Sequence, residues 1–313
     1  MPHHQGPRKP VSANRILTNS RISTLLTCPY RHYLRYELGF RPDTDALALR
    51  FGTAWHKAME YLAAGVDAGT AYDMAVSGKT DFEEIDLAKL TGMIGGYAAC
   101  YPQSLAVRHN ETPFSFAVSH GRGAMWVMGV IDGITENPCW VVERKTTASD
   151  ISEQSDYWTR LRGDRQVQIY VMGARSIGFD PESVIYDVAR KPAIRQKQTE
   201  TVDEYADRLL ADTRERPDFY FSRREIPIIE SDINRVYAEL EQTASDISHR
   251  RKCGIWQRNV TERTCPGCEF SGPCLSGVKI DPASPPAGFT VGSIFPELEA
   301  AGIVVQNGVN DAD

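Results

Sequence analysis

The stretch that most restricts how this chain can fold is residues 129–145, GVIDGITENPCWVVERK. An apolar run containing Trp126, Val127, Met128, Val130 and Ile131 ends on Asp132. A second run, Trp140, Val141 and Val142, leads into Glu143, Arg144 and Lys145. Between them lie Glu136, Asn137 and Pro138, a composition that favours a turn. Two β-rich runs around a short polar break predict a β-hairpin. Side chains alternate faces along a strand, so Glu143 and Lys145 share one face, and pairing across the hairpin can bring Asp132 beside them. Two carboxylates can hold a hard divalent cation such as Mg²⁺. Such an ion acidifies a bound water and polarises a phosphoryl oxygen. A neighbouring ammonium can orient the water or offset charge on a phosphate. The same residues also describe a solvated hairpin with an ordinary surface ion pair.

The flanking sequence alternates helical and strand patterns. Asn19 and Ser20 can cap a helix through Ile22, Leu25 and Leu26 to Cys28, and Pro29 starts a further turn carrying Tyr30, Arg31, Tyr33, Arg35 and Tyr36. Aromatic residues interleaved with Arg can stack on a nucleic-acid strand, and they can equally pack a core. Residues 47–64 predict a helix with an apolar stripe through Phe51, Trp55, Ala58, Met59 and Leu62. His56 lies on a different stripe of that helix, between Gly52 and Glu60. Further helices are expected near 71–77, 83–101, 164–177, 205–214 and 231–248, and strands at 114–118, 183–189 and 219–229. Gln166 and Tyr170 are four apart and therefore share a helix face.

The chain has 313 residues, 42% of them apolar and 24% charged, which is ordinary globular composition. No run approaches the ~18 apolar residues of a membrane helix, and the polar first fifteen residues contain no signal core. A cytoplasmic protein with no membrane partner is expected. The net charge of −6 argues at first against nucleic acid. Residues 280–313, however, carry five acids and no base, leaving 35 bases against 36 acids elsewhere. Basic clusters at 31–35, 190–197, 214–224 and 249–252 can form a locally positive groove, although each alone also suits a solvated face.

Seven cysteines without a signal peptide argue against a disulfide framework. Cys265, Cys268 and Cys274 form C-x2-C-x5-C, a spacing at which three thiolates can wrap one metal centre. Cys28, Cys100, Cys139 and Cys253 are the candidates for a fourth ligand. Thiolates suit zinc or an iron–sulfur cluster.

Taken in order, His56 within G-T-x2-H-x3-E, Asp132, Glu143-x-Lys145 and Gln166-x3-Tyr170 resemble the PD-(D/E)xK nuclease superfamily in its RecB-like branch. Cys28 upstream and the C-terminal C-x2-C-x5-C resemble its iron–sulfur subgroup, which includes CRISPR-associated RecB-like exonucleases and AddB nuclease domains. The likeness covers residues 19–277. It implies an α/β fold, with a central mixed sheet flanked by helices in a restriction-endonuclease-like core. It implies that His56, Asp132, Glu143 and the Arg144 backbone carbonyl bind Mg²⁺ or Mn²⁺. Lys145 would act on the water and phosphate, and Gln166 and Tyr170 would support it. Cys28, Cys265, Cys268 and Cys274 would hold a [4Fe–4S] cluster joining the N- and C-terminal regions. The first carboxylate departs from a literal Pro-Asp and stands in Gly129-x-x-Asp132. The expected organisation is a flexible lead at 1–18, the nuclease domain at 19–277 and an acidic, Pro/Gly-rich tail at 278–313. The expected activity is metal-dependent hydrolysis of DNA, as a single-stranded exonuclease in recombination, repair or CRISPR adaptation, with protein partners from those processes. A scaffold that holds DNA ends without cutting, and a zinc-stapled protein of unrelated function, are the alternatives.

Overall fold

The computed structural model describes residues 11–43, 47–78, 82–103, 105–121, 123–278 and 280–306. Two short strands, β1 (Val11–Ser12) and β2 (Ile16–Leu17), precede helix α1 (Asn19–Thr27). The N-cap of α1 is Thr18, one residue earlier than the sequence suggested: its backbone is extended and its side chain accepts the Arg21 N–H. α2 (Pro29–His32) runs into a π-helical turn, Tyr33–Glu37, and then β3 (Phe40–Pro42). Helices α3 (Leu47–Ala63), α4 (Ala68–Val76) and α5 (Glu84–Cys100) follow. Next come three long strands, β4 (Val107–His120), β5 (Gly123–Thr135) and β6 (Trp140–Thr147), then α6 (Asp156–Thr159) and α7 (Arg165–Ser176). The chain continues through β7 (Ser183–Arg190), α8 (Val202–Glu215), α9 (Pro217–Tyr220), β8 (Phe221–Pro227) and α10 (Glu230–Cys253). α11 (Ser271–Leu275), β9 (Phe289–Val291), α12 (Pro296–Ala300) and β10 (Val305–Gln306) complete it. Local chemistry sets several of these bounds. Thr201 and Glu204 form a capping box at the start of α8, and Gly254 ends α10 in the left-handed conformation.

The central sheet is mixed. β4 and β5 are antiparallel, β5 and β6 antiparallel, β6 and β7 parallel, and β7 and β8 antiparallel. β4 pairs with β5 along nearly its whole length, from Thr135 back to Gly123. The opposite edge of β5 is divided: β6 pairs only at Gly133 and Ile134, and β2 pairs at Trp126 and Val127. β5 and β6 therefore diverge into a fork immediately beyond the Gly133–Val142 pair.

Helices cover both faces. On one, α7 and α10 pack with α1 over Phe114, Val127, Ile131, Val141 and Tyr186. On the other, α3, α4 and α5 bury Trp55, Met59 and Met93 against Ala189 and Phe221. α8 lies tightly on α5, because Gly92 and Gly96 leave space that Leu209 and Thr213 fill.

The two chain ends differ from expectation. Ala13, Ile16 and Leu17 are fully buried, so residues 11–17 are not a loose lead; the half-open edge of β5 receives β2 as a strand. Residues 1–10 lie outside the described residues. Of the C-terminal tail, β9 pairs with β3 and β10 with β1, and Phe295 and Leu298 are fully buried against Tyr36 and Met128. That segment is a packed strap, because its few large apolar residues find partners in the N-terminal strands; residues 307–313 lie outside the described residues. No described helix is long and apolar enough to cross a membrane.

Candidate active site

Asp132 sits at the mouth of the fork. Its carboxylate accepts the Arg144 N–H at 2.8 Å and lies 3.4 Å from His56 Nδ1, which α3 brings from the helical layer above. Burial alone would raise its pKa, but the His56 ring and the Arg144 N–H overcome that and hold Asp132 below the ordinary carboxylate range. His56 is shifted the opposite way. Burial disfavours its cation, yet Asp132, with Glu143 and Glu111 behind it, raises the imidazole above its ordinary value.

Glu143 and Lys145 project from the same side of β6, as strand alternation requires, and form an ion pair. Glu143 is 1% exposed. Apart from that ion pair, neither of its oxygens has a hydrogen-bond partner. Burial, with Asp132 nearby, pushes its pKa up to about 7 against the pull of Lys145. The Lys145 ammonium loses hydration by burial, but the Glu143 carboxylate more than compensates and keeps it protonated. Lys145 Nζ also donates to Gln166 Oε1 at 2.9 Å, and Gln166 Nε2 donates to the Tyr170 hydroxyl at 3.0 Å. Both partners come from α7, one turn apart. Asp164 caps that helix by accepting the Gln166 N–H and also accepts the Tyr186 hydroxyl at 2.8 Å. Asn19, at the start of α1, donates to Gln166 Oε1 at 3.4 Å. The fork thus assembles His56, Asp132, Glu143, Arg144, Lys145, Gln166 and Tyr170 from four separate elements.

One participant was not foreseen. Glu111 on β4 falls between the paired residues Asn110↔Gly133 and Thr112↔Ile131, which places it opposite Asp132. One ligand atom each from His56, Glu111 and Asp132 lie within 4.8 Å of one another, close enough for a single cation to bridge. Glu143 lies outside this group. Partial burial, then the charges of Asp132 and Glu60, push the Glu111 carboxyl up to about 7. The strand expected at 114–118 begins after Glu111, so the sequence carried no signal for it beyond an acid near a strand.

A second constellation lies at the far end of α1. Cys28, Cys265, Cys268 and Cys274 line one pocket, with Arg258 at its wall. The Asn259 N–H points at Cys28 Sγ from 3.4 Å. No three of these thiols lie within 4.8 Å of one another. Tetrahedral zinc, at ~2.3 Å to sulfur, needs thiolates ~3.8 Å apart. Cys100, Cys139 and Cys253 are not part of the pocket. The basic stretch beside it is internally paired: Arg31 and Arg35 bind Glu269 at 2.6 and 2.9 Å, and Tyr33 stacks on Trp256. Those aromatics hold the cysteine segment in place.

A helix-flanked mixed sheet with an Asp, a Glu-x-Lys pair and a supporting Gln at a fork of its central strands defines the class: a nuclease-type fold. The chain belongs to the PD-(D/E)XK nuclease superfamily, whose family profile matches residues 16–275. No curated protein matches it. Among solved structures it is similar to a protein from Eubacterium rectale named "Putative exonuclease", at 12% identity and a TM-score of 0.50, covering 90% of this chain and 92% of that one. It also aligns with the structure of SSO0001 at 15% identity and a TM-score of 0.36, over 88% and 90% of the two chains.

Proposed function

We propose that this protein is a divalent-metal-dependent deoxyribonuclease of the RecB-like iron–sulfur branch, cutting single-stranded DNA from an end. The observation that carries the reading is Lys145. Its ammonium is fixed between Glu143 and Gln166, beside a carboxylate–imidazole group spaced to hold a cation. That set fits Mg²⁺ or Mn²⁺: the donors are hard oxygens plus one imidazole, and apart from Lys145 the buried Glu143 oxygens have no hydrogen-bond donor among the described residues. His56, Asp132 and Glu143, with the Arg144 carbonyl, would hold the ion, which supplies a Lewis acid for the phosphoryl oxygen and a more acidic water. The protein's own part is positional. Lys145 presents positive charge where the phosphate gains negative charge. Gln166, itself fixed by Tyr170 and Asn19, prevents the ammonium from collapsing wholly onto Glu143. The phenol of Tyr170, kept protonated by burial and by the nearby carboxylates, remains a hydrogen-bond partner and not an anion.

Cys28, Cys265, Cys268 and Cys274 would hold a [4Fe–4S] cluster. The support is a shared pocket whose thiols are too dispersed for one zinc ion, with an N–H aimed at Cys28 Sγ. Such a group turns metal affinity into folding energy across 28–274. The name of the Eubacterium rectale neighbour supports exonuclease over endonuclease action.

The test uses protein purified without oxygen, its cluster content read from visible absorbance and iron analysis. End-labelled single-stranded DNA is then incubated with Mg²⁺, Mn²⁺ or EDTA. A product ladder that requires metal and is absent from Lys145→Met is expected. A folded wild-type protein that binds the DNA and cuts none of it would replace this reading with an end-binding scaffold.

A further inference from the structure

We infer that Glu111 is itself a ligand of the divalent cation, completing a site with His56 and Asp132, and that its left-handed backbone is retained to put it there. The inference rests on the metal-dependent reading above and assigns a residue that lies outside the sequence motif.

Three observations converge. First, Glu111 is the only non-glycine residue among those described with a positive φ, 45°. That region disfavours L residues through the Cβ, and Gly enters it without cost. The β4–β5 ladder is in register immediately on both sides, at Asn110↔Gly133 and Thr112↔Ile131. The positive φ thus sits inside a continuous stretch of ladder, with the one register shift of the pairing further along, between Val107 and His109.

Second, the distortion changes which face each strand presents. Ile131 and Ile134 both enter the core beneath α7, although three residues apart they should face opposite ways in a regular strand. The alternation slips at Asp132. Asp132, directly after Ile131, lies on the opposite face toward α3 and His56, and its ligand atom and those of Glu111 and His56 converge within 4.8 Å.

Third, two facing carboxylates repel unless a proton or a cation lies between them. Like charges directly opposite across a ladder repel. Asp132 and Glu111 face each other, Glu60 beside Glu111 is paired with Lys57 at 2.6 Å, and the buried Glu143 lies near Asp132. Glu143 is already engaged by Lys145. Among the described residues no ion pair engages Glu111, and it joins the compact group that Glu143 does not. The arrangement divides the work: Glu111, Asp132 and His56 enclose the ion, and Glu143 links it to Lys145.

The experiment is a calorimetric titration of the full chain with Mn²⁺ alone, comparing wild type, Glu111→Gln and Glu111→Gly, with melting curves in EDTA. Loss of a ligand is expected to weaken Mn²⁺ binding on the order of 10- to 100-fold in both variants. Glu111→Gly should melt at or above wild type in EDTA, because glycine accepts the positive φ, so weaker binding cannot be attributed to unfolding. Glu111→Gln preserves the side-chain shape if the glycine variant misbehaves. Variants that bind Mn²⁺ as tightly as wild type would overturn the role of Glu111 and leave the nuclease reading intact. A wild-type protein that binds neither Mn²⁺ nor Mg²⁺ would overturn both.

Discussion

Replacing Glu143 with Gln should stabilise the metal-free protein at alkaline pH while removing a carboxylate that the proposed cleavage requires. The carboxyl is 1% exposed and its folded pKa is pushed up to about 7. In the unfolded chain it returns to the ordinary value of about 4.3. Between those values the folded state binds the proton more tightly, so stability falls as pH rises from about 4.3 to about 7 and stays low above it. At about 1.4 kcal/mol per pKa unit, the cost of holding Glu143 ionised is on the order of 3 kcal/mol at pH 8. Gln has no such cost. The gain is reduced because Lys145, largely buried, loses a charged partner, although the amide oxygen of the substituted side chain could still accept from it. A net gain of about 1–3 kcal/mol corresponds to roughly 2–10 °C in melting temperature. Glu111, pushed up to about 7, and His56, raised by Asp132, are present in both proteins, so the difference between the proteins isolates Glu143. The assay is thermal melting in EDTA at about pH 5 and pH 8. At the lower pH only about 1 kcal/mol of the ionisation cost applies, so the variant's advantage should be small or absent there and should grow by about 2 kcal/mol at the higher. Mn²⁺ should raise the wild-type melting temperature more than that of the variant. A variant less stable than wild type at pH 8, or an identical difference at both pH values, would refute the argument.

Gly96→Ala tests the α5–α8 contact. The added Cβ would fall on Thr213 Oγ1 and 2.5 Å from Thr213 Cβ, where Thr213 is fully buried and donates to the Gly92 carbonyl at 3.0 Å. Overpacking costs about 1–3 kcal/mol and should outweigh the ~1 kcal/mol gain in helix propensity, lowering the melting temperature by a few degrees; a rise would show that α8 moves aside freely. His32 gives the opposite pH sign to Glu143. It is fully buried and accepts the Arg21 Nε–H at 3.0 Å, and burial, then the charges of Arg21 and Arg251, hold its pKa well below the ordinary range. Below about pH 6.5 the unfolded chain takes up a proton that the folded one does not, so stability falls with acidity. His32→Gln should flatten the dependence of the urea midpoint between about pH 6.5 and 5, and an unchanged slope would exclude His32 as its source.

The sequence makes the hairpin legible because its information is local: two runs, a turn, and strand alternation that puts Glu143 and Lys145 together. Gln166 and Tyr170 are likewise legible from helix spacing. Glu111 is not, because its role depends on a register set across the β4–β5 hairpin and on a slip in alternation that no periodicity encodes. The strand containing it begins at Val107 with a polar stretch, and the sequence shows only its apolar half. The two-residue strand β2 and the strap around Phe295 are too short to carry a period; they are specified by what they cover, the half-vacant edge of β5. The basic residues Arg31 and Arg35 looked suited to DNA, yet their partner Glu269 lies more than 230 positions away, beyond the reach of local reading.

α1 begins with Asn19, which touches Gln166, and ends against Cys28 in the thiol pocket. Nine residues of helix span only ~13 Å. A helix that short is marginal by itself and stands on its buried face, Arg21, Ile22 and Leu25, with a contact at each end. It works as a strut: the position of an amide that steadies Lys145 depends on whether a sulfur at the other end remains anchored. If the proposed cluster sits there, its loss in air is expected to loosen the lysine without altering a single residue around it.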